Sequence, residues 1–549
     1  MSFPTPNADE SLVSAPPLQD APFIGNFHKT LPHNDFGEVD PEAYRIFERT
    51  CQQVEAGMPV NFEAVPPGPL VQAAQSAFQV MPAAVAPLVS PLAGASSEAH
   101  GPDPKSMEMP PAPGCRSLSA TAEMVELYWM ALLRDAPLLA FQRQRGNPGA
   151  GCAGLFAHDA ELGYDLQARL TDARQHVNTV FDCAVRHDAD AGRLRTTLDL
   201  DAGPGGADVA RQTLFRSGLH DEEHGPLVSQ FFLRRVGYGT QTIDPEQVPY
   251  AARRDYLITH GDWLLAQNTG MDRYGRGYGQ CNQYGDQLDH GVLYYPTTDG
   301  TPGGTPVRRC IATMRDLARF VNRDALHQAY FNAALFLDGL GARVDAGNPY
   351  RGHRFTRETA FATLGGPDLL TLVSEVASRA LKVVWRQKWL VHRRCRPEVF
   401  GGLLQMQLNG HGGELRDYGL TLASAVCPNF GAAVTATLAE VQAHNAALNG
   451  GTPTLFLPMA FSAGSPSHPA YGAGHATVAG ACVTVLKAWF DEDQTLTELL
   501  AGAGRKDPPV PGEPLQILQP GFRRTGADLE AFCEPMPYAG DDAALMTVG

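Results

Sequence analysis

The chain has 549 residues, more than one ordinary hydrophobic core accommodates, so at least two packed units are expected. Hydrophobic residues make up 44% and charged residues 19%, which is typical of a globular protein in water. The net charge of −16 argues against nucleic acid and anionic membranes as partners, because both would be repelled.

The N-terminus has neither the basic stretch nor the apolar stretch of a secretory signal. No run of about 18 apolar residues is present, so no membrane segment is predicted and cytoplasmic residence is expected. The ten cysteines are scattered without a C-x-x-C pair. This pattern favours buried or reduced thiols over a zinc site or a disulfide framework.

The first 115 residues predict little regular structure. Residues 1–37 are punctuated by Pro and Asn and predict an extended arm. Asp40 followed by Pro41 predicts the start of a short helix, with Asp40 as its N-cap. The Pro-, Ala- and Gly-rich stretch at 60–114 predicts short helical turns and a loop that wraps the surface.

Helical patterns dominate the rest of the chain. The predicted helices are 120–134 with Ser119 as cap, 325–337 with Asp324 as cap, 369–393, 432–448 and 476–490. The fold is therefore predicted to be mainly α, with small β decorations and long loops. Residues 116–345 are assigned to a first helical bundle and 346–549 to a second.

Basic side chains are concentrated at the end of the longest predicted helix. The helix is apolar almost all round, which predicts that it is buried. Its end carries Arg386, Lys388, His392, Arg393, Arg394 and Arg396. Buried cations need anionic partners, although cations near a helix C-terminus are also favoured by the helix dipole. Lys388 and Arg396 can converge on one site because Pro397 pushes Arg396 out of the α conformation.

A second segment offers complementary groups. Gly472-Ala473-Gly474 precedes His475 and a helix of small residues, so backbone N–H groups are exposed at a helix N-terminus that attracts anions. His475 is placed to exchange a proton with a bound oxyanion or its ligand, and His468 is placed to line the opening of the same anion site. An ordinary helix start is the alternative for this segment alone. Together the two segments predict a pocket for a tetrahedral oxyanion such as phosphate or vanadate.

These motifs resemble those of the vanadium-dependent haloperoxidases, in the algal and bacterial bromoperoxidase branch of the acid phosphatase superfamily. The resemblance lies in Lys388-Trp389, Arg396-Pro397-Glu398, Gly401-Gly402, His468-Pro469 and Gly474-His475. It implies two four-helix bundles and a vanadate cofactor, in a site that phosphate can also occupy. Lys388, Arg396, Ala473 and Gly474 would bind the cofactor. His475 and Lys388 would be catalytic, and His468 and Trp385 would form the halide pocket.

Two departures from the family pattern matter. Ala473 stands where the family usually has Ser, so one hydroxyl donor to the oxyanion is absent. The late Arg and the axial His that would bond vanadium are not found before Gly549, so the axial His is expected beyond that residue. The resemblance therefore predicts a C-terminally incomplete chain that can be inactive as it stands.

The function implied by the resemblance is oxidation of halide by hydrogen peroxide to a hypohalous equivalent that halogenates small organic acceptors. Bromide is favoured over chloride. Two alternatives stay open, a phosphatase of the same superfamily and a catalytically silent oxyanion-binding homologue. A homo-oligomer is expected from the long apolar helices and the arm-like N-terminus.

Overall fold

A computed structural model of the protein describes residues 25–68, 85–141, 163–188, 214–215, 228–250, 252–278, 288–289, 292–293, 308–351, 357–409, 421–501, 518–525, 528–535 and 547–548. Helices make up most of the regular structure in these ranges, as predicted. The strands form three antiparallel hairpins. The fold class is therefore mainly α.

The helices are α1 (Pro41–Glu55), α2 (Leu118–Leu132), α3 (Leu166–His187), α4 (His260–Thr269), α5 (Met314–Arg323), α6 (Gln328–Leu340), α7 (Gly366–Arg386), α8 (Pro397–Leu408), α9 (Pro428–Leu448), α10 (Gly474–Trp489) and α11 (Leu496–Ala501). The strands are β1 (Val236–Tyr238), β2 (Gln241–Ile243), β3 (Leu288–Asp289), β4 (Val292–Leu293), β5 (Leu518–Thr525) and β6 (Asp528–Pro535). Each odd-numbered strand pairs with the strand that follows it.

The helix caps agree only partly with the sequence predictions. The cap at Asp40 is confirmed, since its side chain accepts a hydrogen bond from the Ala43 N–H at 2.8 Å. The predicted cap at Ser119 is wrong, because Ser117 caps α2 two residues earlier. Ser119 lies inside the helix, where its hydroxyl donates to Asp188 at 2.6 Å.

The predicted cap at Asp324 is also wrong. This residue follows the last residue of α5, while α6 begins only at Gln328 and has no side-chain cap. The carboxylate of Asp324 is instead directed at a histidine of α10 that lies 151 positions away. The local sequence could not reveal this partner. An Asp that caps a helix and an Asp that accepts a hydrogen bond from a distant residue look the same in the sequence.

One large hydrophobic cluster joins α2, α3, α8 and α9 through residues such as Trp129, Phe181, Leu404 and Phe430. A disulfide between Cys183 of α3 and Cys427, which precedes α9, links two of these helices. For this pair the expectation of free thiols is wrong. The helices of this cluster come from both sides of residue 345, so the predicted domain boundary does not separate the hydrophobic clusters.

A second hydrophobic cluster joins α6, α7, α10 and α11. Val373 of α7 and Val478 of α10 are fully buried within it. Small residues on α10 permit a close approach to α7, as side chains there add little bulk. This packing fixes the N-terminus of α10 relative to the C-terminal end of α7.

The N-terminal segment 25–33 is part of the core. Phe27 packs edge-on against Trp389, with ring centroids 5.6 Å apart. Its backbone N–H donates to the Arg393 carbonyl at 2.6 Å, and the Cys395 N–H donates to the Gly25 carbonyl at 2.7 Å. The segment that the sequence predicted as an arm thus pairs with the chain just beyond α7.

No helix in the described ranges combines the length and the apolar character needed to cross a bilayer.

Buried histidines make the stability of the fold dependent on pH. Burial lowers the pKa of His28, whose ring nitrogen lies 2.7 Å from His33, to about 4, and burial likewise lowers the pKa of His392 to about 4. An unfolded histidine titrates near 6.5, so the unfolded chain binds more protons between pH 6.5 and 4. Stability therefore falls as the pH is lowered through this window, by about 2 kcal/mol at pH 5 for His28 alone.

Urea unfolding at pH 7.5 and pH 5 measures this loss of folding stability. We expect the loss to be smaller in the His28→Gln variant. The matched control is His260→Gln, because His260 is exposed. Equal stability of the wild-type protein at the two pH values would contradict the prediction.

Candidate functional site

The end of α7 turns its basic residues into the protein. The helix passes at Gln387 into a π-helical turn that ends at His392, where the sequence predicted regular helix to Arg393. Arg393 then adopts a left-handed conformation with φ of +41°, which costs a non-glycine residue about 1 kcal/mol or more. Such turns occur often at functional sites. This one buries Lys388, whose exposed fraction is 1%.

Lys388 is a buried cation whose described partners are carbonyl oxygens and an aromatic ring. Its ammonium donates to the carbonyls of Pro469 at 2.9 Å and Ala470 at 3.1 Å, and it lies 5.7 Å from the centre of the Trp385 ring. Burial, and next the charge of Arg396, lowers the pKa of Lys388 to about 7. Among the described residues no carboxylate forms an ion pair with it.

Arg396 is a second cation with unused donors. It precedes α8 in the extended conformation that Pro397 requires, as predicted (ψ of 152°). Nη1 lies 3.5 Å from the carbonyl oxygens of both His468 and Pro469, which is long for a hydrogen bond. Its Nε is buried and has no partner within the described part of the chain.

His468 and Trp385 lie beside these cations. Their ring centroids are 5.3 Å apart, and the His468 Nδ1 lies 2.9 Å from the Pro469 carbonyl, so we assign the proton to this nitrogen. Burial, and then the charges of Arg396 and Lys388, hold the pKa of His468 well below its usual range. The ring is therefore neutral at neutral pH. The Trp385 Nε1 is buried and makes no hydrogen bond to any described residue.

The start of α10 completes the cluster. Ala473 is the N-cap residue, and no side chain caps this end among the described residues. Gly474 packs against Trp385 so closely that a Cβ at this position would lie 3.3 Å from the ring. The tryptophan of α7 therefore contacts the first residue of α10. In this way the two predicted segments meet.

His475 sits at the outer side of this arrangement. Its Nε2 lies 3.0 Å from the Asp324 carboxylate, which is buried, while 43% of the imidazole is exposed. The carboxylate accepts a hydrogen bond from the Nε2–H and so fixes the orientation of the ring. The sequence predicted His475 as an acid–base group but missed Asp324, for which no local signal existed.

The arrangement presents an excess of hydrogen-bond donors. Lys388, Arg396 and the Trp385 indole are all donors, and the two cations have no carboxylate partner among the described residues. Uncompensated buried charge is costly, and titratable groups perturbed in this way are concentrated at functional sites. No group of three or more potential metal-ligating side chains is found in the described ranges. The donors therefore suit a small oxyanion, bound through its oxygens.

Comparison with known proteins identifies the family, although no family model matches the chain. The chain is 31% identical over 517 residues to a vanadium-dependent bromoperoxidase of Corallina pilulifera, which covers 88% of the chain and 78% of that protein. The chain belongs to the vanadium-dependent haloperoxidase family. The chain is also 31% identical over 519 residues to a vanadium-dependent bromoperoxidase of Corallina officinalis. This match covers 89% of the chain and 78% of that relative.

A solved structure extends the similarity to the fold. The homohexameric structure of the second vanadate-dependent bromoperoxidase (AnII) from Ascophyllum nodosum matches with a TM-score of 0.64 and 26% identity. The match covers 92% of this chain and 70% of that one. The haloperoxidase fold and the site geometry described above thus occur in the same chain.

Proposed function

We propose that the protein is a vanadate-dependent haloperoxidase, which uses hydrogen peroxide to oxidise halide to a hypohalous equivalent that halogenates small organic acceptors. Its similarity to three vanadium-dependent bromoperoxidases supports this proposal. The observation that carries it is the pair of neighbouring cations, buried Lys388 and half-buried Arg396, neither of which forms an ion pair with a described carboxylate. Bromide is the preferred halide, as in the names of these relatives.

The residues present fit vanadate. At this site the Arg396 Nε is a buried donor without a partner among the described residues, and the Lys388 ammonium is a second donor group. Gly474 begins a helix of 16 residues, so its backbone N–H and the helix dipole favour negative charge at the same place. Lys388, Arg396 and the backbone at Ala473 and Gly474 would hold the oxyanion. Phosphate has the same shape and would compete for these donors.

Bound vanadate supplies Lewis-acid activation of peroxide without a change of oxidation state. The chain supplies the charge and the proton transfers. Lys388 and Arg396 stabilise negative charge beside the buried Lys388 ammonium, where electrostatic effects are strong. His475 takes up and returns a proton at Nδ1, while Asp324 accepts a hydrogen bond from Nε2–H and holds the ring in position.

Trp385 and His468 form the halide pocket in this proposal. The Trp385 Nε1–H is a donor that a halide ion can accept, since no described residue accepts from it. His468 contributes a neutral ring, because its Nδ1 proton is directed at the Pro469 carbonyl. A large, weakly hydrated halide such as bromide loses less hydration than chloride on entering this partly buried site.

The proposal is tested by incubating the purified full-length protein, with any residues encoded beyond Gly549, with hydrogen peroxide, bromide and phenol red, in the presence and in the absence of orthovanadate. A second assay offers a chromogenic phosphate ester. Vanadate-dependent bromination without ester cleavage supports the proposal. Ester cleavage alone would indicate a phosphatase, and the absence of both activities with retained vanadate binding would indicate a silent oxyanion-binding protein.

A matched variant tests the role assigned to the start of α10. Ala473 offers no hydroxyl, so Ala473→Ser supplies both a helix cap and a donor near the oxyanion. A neutral hydrogen bond contributes about 0.5–1.5 kcal/mol, so vanadate affinity should rise up to roughly tenfold. Isothermal titration of wild-type and variant protein with orthovanadate measures the change. Weaker binding by the variant would contradict this placement of Ala473.

We further infer a homo-oligomer, because the Ascophyllum nodosum structure is a homohexamer. Light scattering after size-exclusion chromatography measures the subunit number. The compartment stays a prediction. The Cys183–Cys427 disulfide favours an oxidising compartment over the cytoplasmic residence expected from the sequence.

A further inference from the structure

Lys29, in the buried N-terminal segment, lies beside the first turn of α8. Its ammonium is fully buried and donates to the carbonyls of Ala463 at 2.8 Å and Ser465 at 2.5 Å. It also forms an ion pair with Glu398, at 3.2 Å from Oε1. Lys29, near the start of the chain, is thus bound to Glu398, which follows Arg396 by two residues in the sequence.

The surroundings of Glu398 occupy both of its carboxylate oxygens. Oε1 accepts from the Lys29 ammonium and from the backbone N–H of Ser465 at 3.0 Å, and Oε2 accepts from the Ser465 hydroxyl at 2.7 Å. Gly464 permits this close approach. Its φ is +71°, and a Cβ there would lie 3.0 Å from Oε1.

This arrangement keeps a buried negative charge from pairing with Arg396. Glu398 and Arg396 are two residues apart, yet no ion pair joins them, and the Arg396 Nε has no partner among the described residues. Burial would raise the pKa of Glu398, but the charges of Lys29 and Arg396 and the bonds from Ser465 together hold it below its usual value. The carboxylate is therefore ionised at neutral pH.

The backbone reinforces the same geometry. Asn26 forms an antiparallel bridge with Arg394, and the Cys395 N–H donates to the Gly25 carbonyl at 2.7 Å. The N-terminal segment therefore fixes the extended stretch that carries Arg396 as well as the Glu398 side chain. The backbone pairing and the Lys29–Glu398 ion pair thus both affect the surroundings of the Arg396 guanidinium.

We propose that Lys29 is a positioning residue for oxyanion binding, because it holds the Glu398 carboxylate and so keeps Arg396 available to the oxyanion. The inference rests on the proposed function. Without the Lys29 ammonium, an ionised Glu398 turns toward Arg396 and neutralises it.

The test measures the dissociation constant of orthovanadate by equilibrium dialysis at pH 8.5 and pH 6. Loss of a charged contact is worth about 1.5–3 kcal/mol, so Lys29→Met should bind roughly tenfold more weakly, or worse, at pH 8.5. The defect should persist at pH 6, because the charge of Arg396 and the bonds from Ser465 keep Glu398 ionised there. Lys29→Met/Glu398→Gln should recover most of the affinity at both pH values, because the competing charge is gone.

The controls separate the possible failures. Lys382→Met removes a lysine of α7 that pairs with Glu98, and this variant should bind vanadate like the wild type. If the wild type itself does not bind vanadate, the proposed function fails. If the wild type binds and Lys29→Met binds equally well, or the double variant is no better than the single one, the role of Lys29 is overturned.

A milder variant covers the case in which Lys29→Met does not fold. Ser465→Ala removes only the hydroxyl donor to Oε2 and leaves the ion pair intact. The vanadate affinity of this variant should fall about threefold at pH 8.5, in line with one neutral hydrogen bond. Unchanged affinity in a folded Ser465→Ala protein would then overturn the inference.

Discussion

Lys388→Met should lose vanadate binding by about 100-fold or more and gain stability in the absence of ligand. The ammonium is buried against two carbonyls without a described carboxylate, and its pKa is lowered to about 7, so the empty site bears the cost of an unpaired charge. Replacing buried charge by an apolar side chain of similar volume often stabilises a protein by about 1–4 kcal/mol. Loss of the charge removes a contact that the oxyanion requires.

Titration with orthovanadate and urea unfolding of the same samples measure both effects. Lys382→Met is the matched control, because this lysine lies on the same helix but pairs with Glu98. Reduced stability of Lys388→Met would mean that the lysine has a structural partner. Unchanged vanadate affinity would show that the oxyanion binds elsewhere.

His475→Ala should lower the turnover number by about 10²–10⁴ at neutral pH, the usual contribution of an acid–base group. Vanadate affinity should change little, because the imidazole is hydrogen-bonded to Asp324 and 43% of it is exposed. The turnover number and the vanadate affinity of this variant, measured together, distinguish a role in proton transfer from a role in cofactor binding.

Steady-state bromination and vanadate titration provide the comparison, with His260→Ala as the control. His260 is exposed, and its ring nitrogen lies 2.7 Å from the Asp35 carbonyl, far from the chemistry in sequence. A His475→Ala protein that retains full turnover would exclude an acid–base role. A protein that loses vanadate binding would make His475 a cofactor ligand instead.

Local patterns in the sequence predicted those parts of the fold that depend on local interactions. Asp40-Pro41 marked the start of α1, and the apolar periodicity marked the buried α7 helix. The basic cluster after α7 and the glycines before His475 marked the two halves of the site. Each of these signals depends on residues within a few positions of one another.

Features that depend on distant partners could not be predicted. The π-helical turn is stabilised by tertiary contacts, since Trp389 within it packs against Phe27. The Asp324 carboxylate meets a ring 151 positions away, and Lys29 meets a glutamate 369 positions away. The Cys183–Cys427 disulfide closes a separation of 244 residues without any spacing motif.

Loop-like composition was also misleading near the C-terminus. Arg523 and Arg524 lie in sequence rich in Pro and Gly, a composition typical of loops, yet β5 includes both and pairs with β6. A β-hairpin tolerates Pro and Gly at such positions when only one neighbouring strand is present. The pairing of β5 with β6, rather than the intrinsic strand propensity of either segment, therefore determines this two-stranded sheet.

The central claim is that Lys388, Arg396 and the first residue of α10 surround one oxyanion. The most direct measurement is a crystal structure of the protein soaked with orthovanadate, with the vanadium located by its anomalous scattering. We expect the vanadium between the Lys388 ammonium, the Arg396 guanidinium and the Gly474 N–H, with its oxygens within hydrogen-bonding distance of all three. A vanadium site elsewhere, with the Lys388 ammonium still bonded only to the Pro469 and Ala470 carbonyls, would contradict this claim.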